Sequence, residues 1–146
     1  MNKSRMILIS HSTSNIFTGL QGRNILQSDE AISFKLKQER YTKMKKVTLY
    51  VGLNDQKYHV QTMDTLEATK VVTNLLLSNG INGATIFNAV GIYTHDDGTI
   101  ITENTLRIEL IEPEEDSLNN SISAIKAALN QESIIMSVTK ERSALV

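Results

Sequence analysis

The stretch Ala84-Thr85-Ile86-Phe87-Asn88-Ala89-Val90-Gly91-Ile92-Tyr93, followed by Thr94-His95-Asp96-Asp97-Gly98 and Thr99-Ile100-Ile101, governs how the chain folds. β-Branched and aromatic residues dominate its first run. Ile86, Val90 and Ile92 fall on one face of an extended strand, and Thr85, Phe87, Ala89 and Tyr93 on the other. Asp-Gly between two such runs is the strongest short-range hairpin signal, because these residues tolerate the backbone twist of a tight antiparallel turn. The return strand runs on to Glu112, with Leu106, Ile108 and Leu110 alternating with Thr105, Arg107 and Glu109. A bulge near Glu103-Asn104 is expected to reconcile the two parts of so long an arm.

Upstream of this hairpin the period changes. Ala68, Val71, Val72, Leu75 and Leu76 recur at helical spacing and give one apolar stripe. Asp64 and Glu67 have capping-box spacing, and Gly80 stands where a left-handed C-terminal cap belongs, so the helix should end near Asn79. Before it, Val47, Leu49, Val51 and Leu53 alternate with polar residues as a strand, which Asn54-Asp55-Gln56 stops with turn chemistry. Downstream, Pro113 ends the sheet, and Glu114-Glu115-Asp116 suit the positive end of a second helix. Its stripe is Leu118, Ile122, Ile125 and Leu129, with Ala124 and Ala128 allowing close approach to the sheet. Ile134, Met136 and Val138 then alternate once more, and Lys140 to Val146 carry no pattern.

The order βαββαβ predicts an α+β, ferredoxin-like domain over residues 44–140: an antiparallel four-stranded sheet with two helices on one face, followed by a tail, 141–146. The other sheet face would then carry Tyr50, Phe87, Tyr93, Arg107 and Ile135, a patch of the kind that pairs subunits; Tyr50, Phe87 and Tyr93 are its interface candidates.

Residues 1–43 differ in character. They are rich in Ser, Thr, Asn and Gln with scattered apolar residues, and are expected to form a poorly ordered extension. Within them, Asp29 to Arg40 could form a short helix capped by Ser28. Two readings of the segment stand: an authentic polar arm, or a misassigned extension with translation starting at Met44. The second is motivated by Glu39-Arg40, whose codons can form a purine-rich ribosome-binding site, and by Met44-Lys45-Lys46-Val47, which leads straight into the first strand. The intact mass of the protein from its native host separates them; a species beginning at Met1 overturns the internal start.

Composition narrows the function classes. A formal net charge of -1 gives no electrostatic case for nucleic acid or anionic membrane. The absence of cysteine excludes disulfides, thiol catalysis and cysteine-ligated metals, and agrees with a reducing cytoplasm. No apolar run approaches the roughly 20 residues of a membrane-spanning helix. Met6-Ile7-Leu8-Ile9, behind Lys3 and Arg5, is too short for a signal-peptide core. A cytoplasmic protein is expected.

Candidate chemistry is sparse. His11, His59 and His95 form no ligand pair, and Asp96-Asp97 beside His95 is explained by the turn, so no metal is expected. Gly80-Ile81-Asn82-Gly83 precedes no helix and cannot cradle phosphate as P-loops do. No nucleophile-elbow, zincin or Walker pattern is present. Polar residues on the hydrophobic strands say more. Asn88 interrupts the alternation of Ala84, Ile86, Val90 and Ile92, while Glu103, Asn104 and Arg107 crowd the facing arm. They read either as a bulge satisfied by Asn104 beside an Arg107–Glu pair, or as a polar ligand pocket offering Arg107 to a phosphate or carboxylate. Gln131-Glu132 could reach the same edge.

Val47 to Leu53, Gly83-Ala84-Thr85-Ile86, Gly91-Ile92-Tyr93, Asp97-Gly98-Thr99-Ile100, Glu103-Asn104-Thr105-Leu106 and Asn130-Gln131-Glu132-Ser133 together resemble a group of short uncharacterised proteins of phages and prophages of Gram-positive bacteria, over Met44 to about Lys140. The layout is also similar to trimeric, nucleotide-sensing PII-like domains, with a tight Asp-Gly hairpin where those carry a long basic loop. The phage resemblance implies an accessory role, such as countering host defence, and brings no catalytic residues. The expectation is therefore a non-enzymatic phage accessory protein without cofactor, which forms homo-oligomers and binds a small anionic, nucleotide-like ligand or a host protein. The alternatives are an interaction module with no ligand and an unidentified enzyme.

Overall fold

A computed structural model describes residues 6–8, 29–33 and 40–146. The described elements, in chain order, are β1 (Met6–Leu8), the helical residues 29–33 (α1), β2 (Thr42–Gly52), α2 (Thr65–Ser78), β3 (Thr85–Thr94), β4 (Ile100–Ile111), α3 (Glu115–Ala128) and β5 (Ile135–Ser143). The expected cap Ser28 and residues 34–39 lie outside the described residues, as does most of the expected extension.

The sheet is antiparallel in the order β1-β3-β4-β2-β5. Its last four strands are the ferredoxin-like arrangement. A fifth, β1, pairs Met6↔Tyr93, Ile7↔Ile92 and Leu8↔Gly91, so the short apolar run near the start is an edge strand. Val47, Leu49 and Val51 of β2 and Leu106, Ile108 and Leu110 of β4 face one way and are buried with Ala68, Val72 and Leu76 of α2 and Leu118 and Ile125 of α3. Both helices therefore share one sheet face.

Local chemistry explains where α2 begins and ends. The Asp64 carboxylate accepts the Glu67 amide at 2.9 Å, an N-cap of the kind worth about 1 kcal/mol. At the other end Gly80 takes φ +88°, its amide donates to the Leu77 carbonyl, and the Ile81 amide donates to the Leu76 carbonyl. That is a Schellman stop, sealed by packing Ile81 with Leu76 in the core. In α3 the close-packed small residue is Ser121, fully buried, whereas Ala128 is exposed; the expectation for Ala128 fails because the helix turns that position away from the sheet.

Three further expectations change. The β3–β4 ladder is unbroken from Thr85↔Glu109 to Thr94↔Ile100, so there is no bulge at Glu103-Asn104; the long arm stays regular because β1 and β2 pair on its flanks. The strand expected to stop near Lys140 continues to Ser143, because β2 starts at Thr42 and offers partners that far. Asn88 and Val90 are exposed, since the helices leave the outer part of β3 uncovered. The hairpin turn is as read: Gly98 has φ +86°, and the Asp97 carboxylate accepts the Thr99 amide at 2.8 Å.

Candidate functional site

No described helix covers the other sheet face. One rung there aligns Phe87, Arg107, Tyr50 and Ile135 across four strands. The Arg107 guanidinium lies 5.5 Å from the Phe87 ring centre and is ion-paired with Glu109; its Nε is buried without a hydrogen-bond partner. Thr105 is also buried on this face, with its hydroxyl unpartnered. Glu109 shares Lys46, at 3.5 Å, with Glu141, at 3.3 Å.

Towards the end of the sheet where β2 stops and β5 begins, the same face opens into a cleft of about 270 Å³. That is roughly nine waters' share of liquid volume, just under the usual 300–1,000 Å³ of small-molecule sites. At its floor is Glu103. This residue is flanked by two glycines: Gly91 is its rung partner on β3, and Gly52 ends the strand on its other side. A Cβ on Gly52 would stand 2.4 Å from Glu103 Oε1 and 2.7 Å from its Cδ and Oε2, so the carboxylate lies directly over the glycine. Its Oε2 accepts the Asn54 amide at 3.2 Å. Burial raises the Glu103 pKa above its usual value, and the Asn54 hydrogen bond only partly opposes this. Tyr93, also in the lining, is raised by burial and then by the negative charge of Glu103.

The walls come from three loops. His95 follows β3 and meets Tyr93 edge-on, with ring centres 5.3 Å apart; His59, held at φ 56°, meets His95 edge-on at 6.3 Å. Asn54, Asp55 and Gln56 follow β2, and Gln131, Glu132 and Ser133 precede β5. Side-chain hydrogen bonds tie these loops together. Asn130 Nδ2 donates to Asp55 Oδ2 at 2.9 Å, Gln56 Nε2 donates to Asn130 Oδ1 at 2.8 Å, and Gln131 Nε2 donates to the Asn54 carbonyl at 2.8 Å. The Asn130 bond, with the Lys57 and Tyr58 amides, holds the Asp55 carboxyl below its usual pKa against the effect of desolvation. Asp55, Glu103 and Glu132 line the cleft, and among the described residues neither Lys nor Arg does. The site is acidic.

The four residues expected to form one polar pocket do not converge. Glu103 and Arg107 share the open face, but Arg107 lies outside the cleft lining and is committed to Glu109 and Phe87. Asn88, opposite Leu106, and Asn104, opposite Val90, project from the helix-bearing face. Asn104 Nδ2 donates to Gln61 Oε1 at 2.6 Å and anchors the loop that leads into α2. Of the other reading, the Arg107–Glu pair is present, with Glu109, but the bulge is not, and Asn104 satisfies a loop instead. Tyr50, Phe87 and Tyr93 do lie on the open face, Tyr50 and Tyr93 within the cleft lining. His59, His95 and Asp55 were not singled out by the sequence as ligand-facing. The signal for the floor was a glycine inside each of two strands, which marks a close approach of another group. Among the described residues, no cluster of His, Cys, Asp or Glu is placed to hold a metal ion, and no helix is long and apolar enough to cross a membrane.

Fold and cleft together define a ferredoxin-like α+β domain with an acidic pocket at one end of its open sheet face. The chain belongs to the family described as a protein of unknown function, DUF3574, whose model matches residues 46–145. Among solved structures, it is similar to a phage SAM lyase in the apo state, with TM-score 0.51 and 21% identity over 67% of this chain and 81% of that one. It is also similar to CPII, a nitrogen regulatory PII-like protein from Thiomonas intermedia bound to ADP, AMP and bicarbonate (TM-score 0.45, 15% identity, 73% and 98% covered). A third is CutA from Synechococcus elongatus (TM-score 0.46, 10% identity, 68% and 78% covered). No curated protein matches by sequence.

Proposed function

We propose that this domain binds a small polar ligand carrying positive charge, with Glu103 as its anchor. The observation that carries the reading is a half-buried carboxylate set over Gly52 in a cleft that the described residues line with acids, tyrosines and histidines and with no cation. Such a carboxylate has no counter-charge among the described residues, and a cationic ligand would supply one while Tyr50 and Tyr93 offer ring faces to it. The anionic, nucleotide-like ligand expected from Arg107 fits less well, because a phosphate entering the cleft meets Asp55, Glu103 and Glu132. Homo-oligomer formation through the Phe87–Arg107–Tyr50 rung remains part of the proposal, and the phage accessory role rests on the sequence resemblance alone.

A second reading is catalytic. A carboxylate that holds its proton more tightly than a free glutamate is suited to general-base work near neutral pH. The fold likeness to a SAM lyase makes SAM, a sulfonium cation, the natural probe for both readings.

Thermal denaturation with S-adenosylmethionine, its thioether analogue S-adenosylhomocysteine, which lacks the sulfonium charge, and ADP tests the proposal. A ligand binding only the native state at 100 times its Kd adds about 2.7 kcal/mol, a readily measured rise in Tm. The expected order is S-adenosylmethionine above S-adenosylhomocysteine, with ADP silent. Glu103→Gln is expected to weaken binding tenfold or more, about 1.4 kcal/mol, while leaving the unliganded protein at least as stable. Stabilisation by ADP alone, or an undiminished response in Glu103→Gln, overturns the reading. Loss of S-adenosylmethionine on incubation, dependent on Glu103, selects the catalytic version.

A further inference from the structure

We infer that Asn82 is a site of spontaneous covalent ageing, where the side-chain amide is lost through a succinimide and aspartate or isoaspartate is left. Asn or Asp precedes glycine at Asn79-Gly80, Asn82-Gly83 and Asp97-Gly98. In each pair the glycine amide nitrogen can attack the preceding side-chain carbonyl carbon, because glycine has no side chain to shield it. At an asparagine the nitrogen gives its proton to hydroxide, a C–N bond closes a five-membered ring, and the side-chain nitrogen takes a proton and leaves as ammonia. Water then opens the ring. Cleavage at one carbonyl restores the main chain through aspartate; cleavage at the other routes it through the side chain as isoaspartate.

The attack needs a nitrogen free of hydrogen bonds and a side chain free to turn, and the fold separates the three pairs on this ground. Asn79 caps α2: its Nδ2 donates to the Leu75 carbonyl at 2.8 Å, and the Gly80 amide donates to the Leu77 carbonyl at 3.1 Å. Leaving group and nucleophile are both held in the helix stop. In the hairpin turn the Asp97 carboxylate accepts the Thr99 amide, and the Gly98 amide donates to the His95 carbonyl at 2.9 Å. Asn82 and Gly83 are under neither restraint. Both are exposed in the connection between Ile81 and β3. Among the described residues, neither the Asn82 side chain nor the Gly83 amide has a hydrogen-bond partner. A Cβ on Gly83 would meet no atom within 4 Å, so the ring has room to close.

The products act on the fold as well. Asn82 follows Ile81, which seals the end of α2, and lines a groove of about 190 Å³ with Leu76, Leu77 and Ile86. Either product puts a carboxylate near the negative end of the α2 dipole, and the last turn of that helix has no basic residue to offset it. Isoaspartate also lengthens the main chain by a methylene between Ile81 and Thr85. The aged chain is more acidic and looser at this connection.

The full chain is held warm at mildly alkaline pH, then digested, and the Asn, Asp and isoaspartate forms at 79 and 82 are separated and identified by mass spectrometry. Conversion at Asn82 is expected to be roughly tenfold faster than at Asn79, which reacts only when the helix end opens. In urea the two should convert at similar rates, which shows that the fold and not the flanking sequence selects. Gly83→Ala, for which the loop has room, should slow conversion several-fold with Tm unchanged. Asn82→Asp, which carries the charge from the outset, should melt below the parent, and less so as salt is raised. Equal conversion at the two asparagines of the folded chain overturns the inference. So does an Asn82 that stays intact when folded for as long as the unfolded chain takes to convert several times over.

Discussion

Replacing Ile108 by alanine is expected to remove about 2–5 kcal/mol of stability, a large share of the 5–15 kcal/mol typical of a domain. Ile108 is the middle of a rung that runs Ile86, Ile108, Leu49, Met136 across four strands. It is fully buried, as is Leu49. Truncation there leaves a cavity walled on both sides by paired strands and roofed by helices, where collapse is least able to fill it. The same rung supplies its own control. Met136, half exposed at the sheet edge, should cost well under 1 kcal/mol when changed to alanine, because water already reaches it. Urea midpoints at constant m-value check both; equal losses at the two positions would contradict the burial gradient described above.

Gly52→Ala is expected to abolish ligand binding in the cleft while the domain stays folded. The new methyl group would meet the Glu103 carboxylate, and those atoms are the tip of a flexible side chain, so the carboxylate moves and the strand does not. The stability cost is the Asn54 amide's lost acceptor, about 1 kcal/mol. The pH dependence supplies a sharper readout. In the native protein the Glu103 pKa lies above its usual 4.5, so the folded state holds a proton that the unfolded state releases. Stability therefore declines as pH rises from about that usual value through the raised one, and the penalty persists above both. Expulsion of the carboxylate into water returns its pKa towards 4.5 and removes this decline. Carboxyl titration by NMR, with denaturation at successive pH values, measures both effects. An unchanged elevated titration in Gly52→Ala would show that the carboxylate does not depend on the glycine for its place.

Elements whose signals are local were legible in the sequence. The Asp64 cap, the Gly80 stop and the Asp97-Gly98 turn each act within a few residues, and the structure has all three. The candidate site was legible only in part, for two different reasons. Glu103 and Asn104 are neighbours in sequence but point to opposite faces of a pleated strand, and the hairpin register carried down from Thr94↔Ile100 already places Asn88 opposite Leu106, away from Arg107. That separation was readable from pleat and register. The cleft walls were not. Asp55 meets Asn130, and Asn54 meets Gln131, across some half of the chain, through amide and carboxylate side chains that leave no periodic trace. Burial at the sheet margins was likewise hidden, since Met136 and Val138 alternate like core residues while lying beyond the helices.

Strand β2 lies inside the sheet, between β4 and β5, and is made before either of them. Its neighbours run from Gly52↔Thr105 on β4 out to Thr42↔Ser143 on β5, and none precedes it. During synthesis it must wait, apolar and unpaired, until β4 has left the ribosome, whereas the β3–β4 hairpin closes on local contacts as soon as it emerges. A nascent chain halted before β4 therefore leaves Val47, Leu49 and Val51 without their sheet neighbours Leu110, Ile108 and Leu106.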